Sequence, residues 1–475
     1  MLPWAVSQTR PRSTTRPTAS QVHTATPADR DRWVDTLRVG SLLVVVLGHW
    51  LMVAITDGGR ITNALAVVPA LQPLTWLLQV MPLFFLVGGV AHAHTLESLE
   101  RRHPAHAGRY AVFFRARATR LLRPTLAFLS VWVVLGVVAD LSGLTDRQGD
   151  AGRLARDALV MVPQLLWFVG IYLGACALTP VMRDLHQRWG LRVFVALVVV
   201  AVTVDLVRFN GGRSLVGNLN FAFVWLALHQ LGFAWRDGLL TTARGWVMAV
   251  VGFGAMGLAV TLGPYPVSMV GLPGEAVSNM APPTAALLAQ GIGICGLAVA
   301  LRPVMGRVLA RPRVWRAVVL AGSFAMTAFL WHLTALMAVL LLAGAVGIEQ
   351  PDVASWAWWL TRPVLFSVLA GVTAVLVGVF VRFDRGPGAA SVGSDDGRRR
   401  VDVAAAVSAG VLFFGTLIVS IVGVDVLGNR PVFFLVGDVT PVVGFGVLAV
   451  GLLLLRNTPQ HTDKSPTHRD QAPVR

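Results

Sequence analysis

The stretch DTLRVGSLLVVVLGHW, from Asp35 to Trp50, belongs to an apolar run long enough to cross a bilayer. A helical span needs roughly 20 predominantly apolar residues, and similar runs recur along the 475-residue chain. The chain is 55% hydrophobic and only 13% charged, whereas soluble domains carry about 25% charged residues. The composition therefore predicts an all-α fold: a polytopic integral membrane helical bundle with the lipid bilayer as its partner.

About twelve apolar runs are predicted to be transmembrane helices, ten in a core and two after it. Their approximate ranges are 39–57, 72–94, 124–140, 157–180, 193–208, 217–235, 245–263, 283–301, 317–344, 357–381, 403–424 and 431–455. Most of the 40 Lys+Arg residues lie in the two tails and in alternate loops. Because cytoplasmic loops retain basic residues, both termini are predicted to be cytoplasmic. The Pro- and Gly-rich stretch 264–282 is predicted to be an irregular loop.

Composition divides the chain into five segments. Residues 1–31 and 456–475 are predicted to be disordered cytoplasmic tails, and residues 32–382 a membrane core. Residues 383–402 are predicted to be a cytoplasmic linker, because they combine Gly and Pro with a run of arginines. Residues 403–455 are predicted to form an additional two-helix segment.

The net charge of +16 does not predict nucleic-acid binding, because the arginines that carry it cluster between apolar runs. Cys176 and Cys295 both lie inside apolar runs, so neither a disulfide framework nor a metal site is expected. Lys464 is the only lysine in an Ala/Val/Arg-rich chain. That composition is typical of a high-GC bacterium, so a bacterial plasma membrane is the expected location. The oligomeric state is left open.

His49 is an ionisable residue inside an apolar run, and such a residue is a candidate functional group because its desolvation is costly. Arg38 precedes it by eleven residues. At 100° per residue this spacing is three turns plus about 20°, so the two side chains share a helix face, roughly 16 Å apart along the axis. The pair suits an anionic ligand at Arg38 and proton transfer at His49. A histidine that only packs against a neighbouring hydroxyl is the alternative.

Arg117, Arg120 and Arg123 recur every three residues at the start of the third run. A stripe of guanidinium groups at a membrane boundary pairs well with phosphate oxygens. An anchor that touches anionic lipid headgroups is the alternative. Elsewhere, His229 is expected to make an interhelical hydrogen bond, and His92 and His94 are expected to mark the membrane interface.

Several short motifs follow one another along the chain. They are Asp35-x-x-Arg38 with His49 eleven residues further on, Pro82-Leu-Phe-Phe-Leu-Val-Gly-Gly89, Arg117-x-x-Arg120, Leu166-Trp167-Phe168 and Phe329-Leu-Trp331-His332. Together and in this order, they resemble the motifs of the acyltransferase 3 family of membrane O-acyltransferases. Gly88 replaces the serine that is usual before Gly89, and Trp331 replaces a more usual tyrosine-like residue. Arg120-x-x-Arg123 fits the arginine motif as well as Arg117-x-x-Arg120 does.

The resemblance implies transfer of an acyl group, expected to be acetyl, from cytoplasmic acyl-CoA to a hydroxyl of a glycan, lipid-linked sugar or small molecule. Acyl-CoA is a co-substrate, and no bound cofactor or metal is implied. His49 would act as general base beside Arg38, because an alcohol needs its proton removed to attack a thioester. An acyl-histidine intermediate remains an alternative.

The resemblance also implies roles for residues other than His49 and Arg38. Arg117, Arg120 and Arg123 would bind acyl-CoA. Asp35, Trp167 and His332 would be accessory residues, although helix packing is an alternative role for His332. From the residues alone, a transporter or flippase that uses buried His and Arg in a proton or anion pathway competes with the enzyme.

Overall fold

The computed structural model describes residues 18–27, 30–56, 60–102, 108–212, 214–348, 350–384, 398–435 and 437–456. Most of the predicted tails and linker therefore lie outside the described residues. The first ten helices are α1 (Ala19–Thr24), α2 (Arg32–Met52), α3 (Ala64–Val67), α4 (Thr75–Leu78), α5 (Met81–Arg102), α6 (Arg109–Leu141), α7 (Asp150–Gln164), α8 (Leu166–Trp189), α9 (Leu191–Asn210) and α10 (Asn220–Arg236). The next eight are α11 (Thr242–Leu262), α12 (Ala285–Ala300), α13 (Arg302–Leu309), α14 (Pro312–Gly322), α15 (Ala325–Ala345), α16 (Trp356–Phe380), α17 (Arg398–Val422) and α18 (Pro441–Arg456).

Two small antiparallel hairpins are the sheet structure of the described residues. They pair β1 (Val53–Thr56) with β2 (Arg60–Asn63), and β3 (Val432–Phe434) with β4 (Gly437–Val439). Short 3-10 turns cover Pro69–Leu74, Ser214–Leu219 and Val381–Asp384. The predicted all-α architecture is confirmed.

The membrane-spanning character is also confirmed, but the count of about twelve spans is not. Within the described residues, eight helices are long and apolar enough to cross a bilayer. The count is nine if α12 and α13, bent by 53°, form one broken span. Helices α10 and α18 have 17 and 16 residues, which is fewer than the roughly 20 that a full crossing needs.

Helix α2 begins and ends earlier than predicted. Asp31 caps its start, because a carboxylate oxygen accepts hydrogen bonds from the backbone N–H groups of Trp33 and Val34, at 3.0 and 3.2 Å. The helix ends at Met52, where β1 begins. His49 consequently lies in the last turn of α2, not in the middle of a span.

Two other predicted spans are interrupted. The run 317–344 is divided into α14 and α15, and the run 431–455 contains β3 and β4 before α18 begins. The predicted loop 264–282 is indeed irregular. Asn279 holds it together, since its side-chain amide donates to the carbonyl oxygens of Pro266 and Ser268 at 2.7 and 2.9 Å.

Glycines bring α5 and α10 into backbone contact. A Cβ atom on Gly89 would lie 2.1 Å from the carbonyl oxygen of His229, and one on Gly232 would lie 2.3 Å from that of Leu86. Small residues allow such close approach of membrane helices. The contact fixes the position of α10 along the axis of α5.

Helix α17 packs on the core helices that precede it. Gly170 and Gly174 on α8 leave room for Leu417 and Phe413, whose side-chain atoms lie 2.9 Å from where a Cβ would be. The Asp402 carboxylate of α17 accepts hydrogen bonds from the N–H groups of Gly108 and Ala111, at 2.8 and 2.9 Å. Asp402 thus caps the start of α6, the helix that carries the arginine stripe.

Candidate active site

His49 and His332 form a hydrogen-bonded pair between α2 and α15. The Nδ1 atom of His49 lies 2.8 Å from Nε2 of His332. Their rings are stacked, with centroids 5.1 Å apart and an interplanar angle of 11°. His332 is fully buried and His49 is half-buried. The structure brings a predicted catalytic residue into contact with a predicted accessory residue.

The hydrogen bonds of this pair select the tautomers of the neutral rings. Nδ1 of His332 lies 2.6 Å from the carbonyl oxygen of Phe329, which can only accept, so this nitrogen carries the proton. Nε2 of His332 then has the lone pair and accepts from Nδ1–H of His49. The lone pair of His49 is therefore on Nε2, and no described residue hydrogen-bonds this atom.

Aromatic residues surround the pair and connect it to α8. The indole N–H of Trp50 donates to the carbonyl oxygen of His332 at 3.3 Å. Phe329 lies 5.9 Å from His332 and 5.7 Å from Phe168, measured between ring centroids. The predicted accessory residue Trp167 contacts Phe168 and Trp225, and neither histidine.

The other end of α2 carries Arg38 next to a buried carboxylate. Asp35 lies 3.3 Å from a guanidinium nitrogen of Arg38 and 2.6 Å from Nε of Arg30. The side chain of Arg38 remains 26% exposed, against 13% for Asp35. Asp35, predicted as an accessory residue, thus orients Arg38.

Arg117 is the most enclosed arginine of the predicted stripe. Its Nη2 donates to the hydroxyl of Thr95, and to the carbonyl oxygen of Ala91 at 3.5 Å. The guanidinium also lies over the ring of Phe113, 5.8 Å from its centroid. Arg117 is half-buried, whereas Arg120 is exposed.

Tyr172 of α8 lies within electrostatic range of three predicted arginines, Arg38 from α2 and Arg117 and Arg120 from α6. The hydroxyl of Tyr172 also occupies the space beside Gly88, since a Cβ there would lie 3.0 Å from the phenolic oxygen.

Arg123 points to a different place. Each step of three residues turns a helix position by about 60° relative to the last, and Arg123 lies in a groove with Leu452 and Leu455 of α18. This groove has a volume of about 470 Å³. The structure thus separates Arg123 from Arg117.

A second histidine pair lies between α5 and α10. Nδ1 of His92 lies 2.9 Å from Nε2 of His229, and Nε2 of His92 lies 3.3 Å from the hydroxyl of Tyr172. Both histidines are fully buried, so His92 is enclosed between helices, a packing role that the sequence did not predict. The interhelical bond of His229 is present. The glycines at 88 and 89 were the available signal, because they mark the close helix contact that encloses His92.

A family model described as an acyltransferase domain, acyltransferase 3, matches residues 31–382. This chain belongs to that family. No curated protein and no solved structure matches it. The membrane acyltransferase thus has its family-matching region in α2 to α16, and α17 and α18 follow that region.

Arg38 and His49 lie toward opposite ends of α2 in this acyltransferase. Arg38 lies in its second turn and His49 in its last, separated by about 16 Å along the axis. The arrangement offers cations at one end and an imidazole lone pair at the other.

Proposed function

We propose that this membrane acyltransferase moves an acyl group, preferably acetyl, from acyl-CoA to a hydroxyl, with His49 as general base. The acceptor class comprises cell-envelope glycans, lipid-linked sugars and small hydroxylated molecules. We place the enzyme in a bacterial plasma membrane, with both termini and the arginine-rich face on the cytoplasmic side.

The observation that carries this proposal is the orientation of His49 by His332. A general base works when a third group holds its ring in one tautomer and one orientation. The bond from Nδ1–H of His49 to Nε2 of His332 supplies that restraint, because His332 is itself held by the carbonyl of Phe329. The lone pair on Nε2 of His49 is left to receive a proton.

The cations support acyl-CoA as the donor. Its phosphates would bind Arg38 of α2 and Arg117 and Arg120 of α6 through charge-assisted hydrogen bonds. CoA carries its thioester at the end of a long flexible arm, remote from its phosphates. The distance of about 16 Å between Arg38 and His49 along α2 is consistent with such a donor.

The reaction then follows directly from these positions. The acceptor hydroxyl gives its proton to Nε2 of His49 while its oxygen attacks the thioester carbonyl. The C–S bond breaks, an ester C–O bond remains, and the CoA thiolate takes the proton back from the imidazolium. His332 accepts the Nδ1–H bond throughout, which stabilises the positive charge on His49.

The test uses the full-length protein in nanodiscs with radiolabelled acetyl-CoA. Wild type is expected to bind CoA and consume the thioester, and His49→Ala is expected to bind CoA without turnover. If wild type fails to bind CoA at millimolar concentration, the donor assignment is wrong. Movement of an unmodified solute across proteoliposomes under a proton gradient would then favour the transporter alternative.

A further inference from the structure

Arg362 is a buried cation in a helix most of whose residues are exposed. Only 11% of the apolar stretch within Trp356–Phe383 is buried. Arg362 belongs to this minority, with an exposed fraction of 7%. Its Nε donates to the carbonyl oxygen of Trp358 at 3.1 Å, and Nη2 lies 3.4 Å from the hydroxyl of Thr361. The guanidinium lies 4.5 Å from the ring centroid of Trp358.

Among the described residues, these contacts leave most of the guanidinium without a polar partner. Arginine has five N–H donors, and the contacts to Trp358 and Thr361 use two of them. No carboxylate among the described residues pairs with Arg362. A charge within a membrane span is costly and usually pairs with another group. An anionic ligand would supply the missing partner.

A small cavity lies against Arg362. It is lined by Val53 and Ala54, which follow the end of α2, by Gln350 and Pro351 of the loop before α16, and by Leu336 of α15, among others. Its volume of about 10 Å³ is room for one water molecule. The space beside the guanidinium is therefore the size of a single oxygen atom.

The cavity adjoins the end of α2 that carries His49. Phe366 lies one turn after Arg362 on the same face of α16, and its ring centroid is 6.0 Å from that of Trp50, the neighbour of His49. Arg38 lies toward the opposite end of α2. Arg362 thus lies near the end of α2 opposite Arg38.

We propose that Arg362 binds a phosphate or carboxylate group of the acceptor and so holds its hydroxyl near His49. This assignment rests on the proposed function, because it needs His49 as the reacting base. The enzyme would then select hydroxylated acceptors that carry a negative charge. A guanidinium suits this role, since it holds such groups with two parallel N–H bonds.

The first test measures binding and needs no turnover. The protein is placed in phosphatidylcholine nanodiscs with saturating CoA, and its melting temperature is followed against inorganic phosphate at constant ionic strength. Wild type is expected to be stabilised, and Arg362→Gln to need at least about tenfold more phosphate, the loss expected for charge-assisted bonds. Arg192→Gln removes the same charge from an exposed site on α9 and is expected to behave as wild type.

Arg362→Lys separates a folding defect from a binding defect, because it keeps the charge and loses the paired N–H geometry. Its phosphate response is expected to lie between those of wild type and Arg362→Gln. Equal phosphate responses in wild type and Arg362→Gln would overturn the proposal. Stabilisation by phosphatidylglycerol in the nanodisc, with none by phosphate, would assign Arg362 to a lipid headgroup and overturn the acceptor assignment.

The second test compares acetyl transfer to glucuronate with transfer to glucose. The preference of wild type for the charged sugar is expected to fall about tenfold or more in Arg362→Gln, while transfer to glucose is kept. If wild type lacks acetyl transfer but shows the Arg362-dependent phosphate response, the proposed function fails and the anion site stands. If acetyl transfer is present and the preference is unchanged, only the Arg362 assignment fails.

Discussion

Nδ1 of His49 lies 2.8 Å from Nε2 of His332, although the two residues are 283 positions apart in the chain. The bond joins the last turn of α2 to α15 and gives the imidazole of His49 a fixed orientation. Because the two rings are also stacked, displacement of one is expected to disturb the other.

Loss of His332 is expected to lower kcat without weakening the binding of CoA. In His332→Ala, Nδ1–H of His49 loses its acceptor, so the base is no longer oriented, and kcat is expected to fall about 10- to 100-fold. His332→Gln keeps an acceptor oxygen and is expected to recover part of the rate. Steady-state kinetics and a CoA isotherm make the measurement, and equal losses in both variants would contradict a positioning role.

Loss of His49 is expected to have the larger effect. His49→Ala removes the nitrogen that takes the proton, so turnover is expected to fall about 10²- to 10⁴-fold while CoA binding is kept. His94→Ala is the matched control on α5, because it makes the same change at a histidine outside the proposed site. A similar loss of turnover in the control would show that histidine removal damages the fold.

Arg117 and Arg123 are expected to differ in their contribution to CoA binding. Arg117→Gln should raise the Kd for CoA about tenfold or more, because a charge-assisted bond to phosphate is lost. Arg123→Gln should leave that Kd within about twofold, because Arg123 lies in the groove beside α18. Isothermal titration with CoA in nanodiscs shows whether Arg117-x-x-Arg120 or Arg120-x-x-Arg123 is the motif that binds CoA. A larger rise in Kd for Arg123→Gln than for Arg117→Gln would favour the second motif.

The contact at Gly89 is expected to tolerate no side chain. A Cβ there would lie 2.1 Å from the carbonyl oxygen of His229, so Gly89→Ala should lower the free energy of unfolding by about 3 kcal/mol or more. Gly254→Ala on α11 is the matched control, since no atom lies within 4 Å of its added Cβ. Thermal unfolding in detergent compares the two, and equal midpoints would contradict the close packing.

The sequence predicts the membrane-embedded, all-helical character well, because apolar composition alone determines whether a segment is more stable in lipid than in water. It predicts the ends of spans poorly. The end of α2 at Met52 and the division between α14 and α15 depend on local hairpin and loop structure, which hydropathy does not register.

The sequence also predicts only part of the candidate site. Helical periodicity predicts that Arg38 and His49 share a face of one helix, since that relation is local. Periodicity cannot predict the partner of His49, because the bond to His332 depends on how α15 packs against α2. The burial of His92 beside His229 and the separate direction of Arg123 also arise from helix packing.

The packing of α17 has a consequence for how this protein is divided. The residues that match the acyltransferase family end at 382, yet Leu417 and Phe413 fill the notches at Gly170 and Gly174, and Asp402 caps α6. A fragment cut at the family boundary would leave bare backbone of α8 against lipid chains, and the helix of Arg117 without its cap. The region that matches the family is therefore smaller than the unit that packs together in this chain.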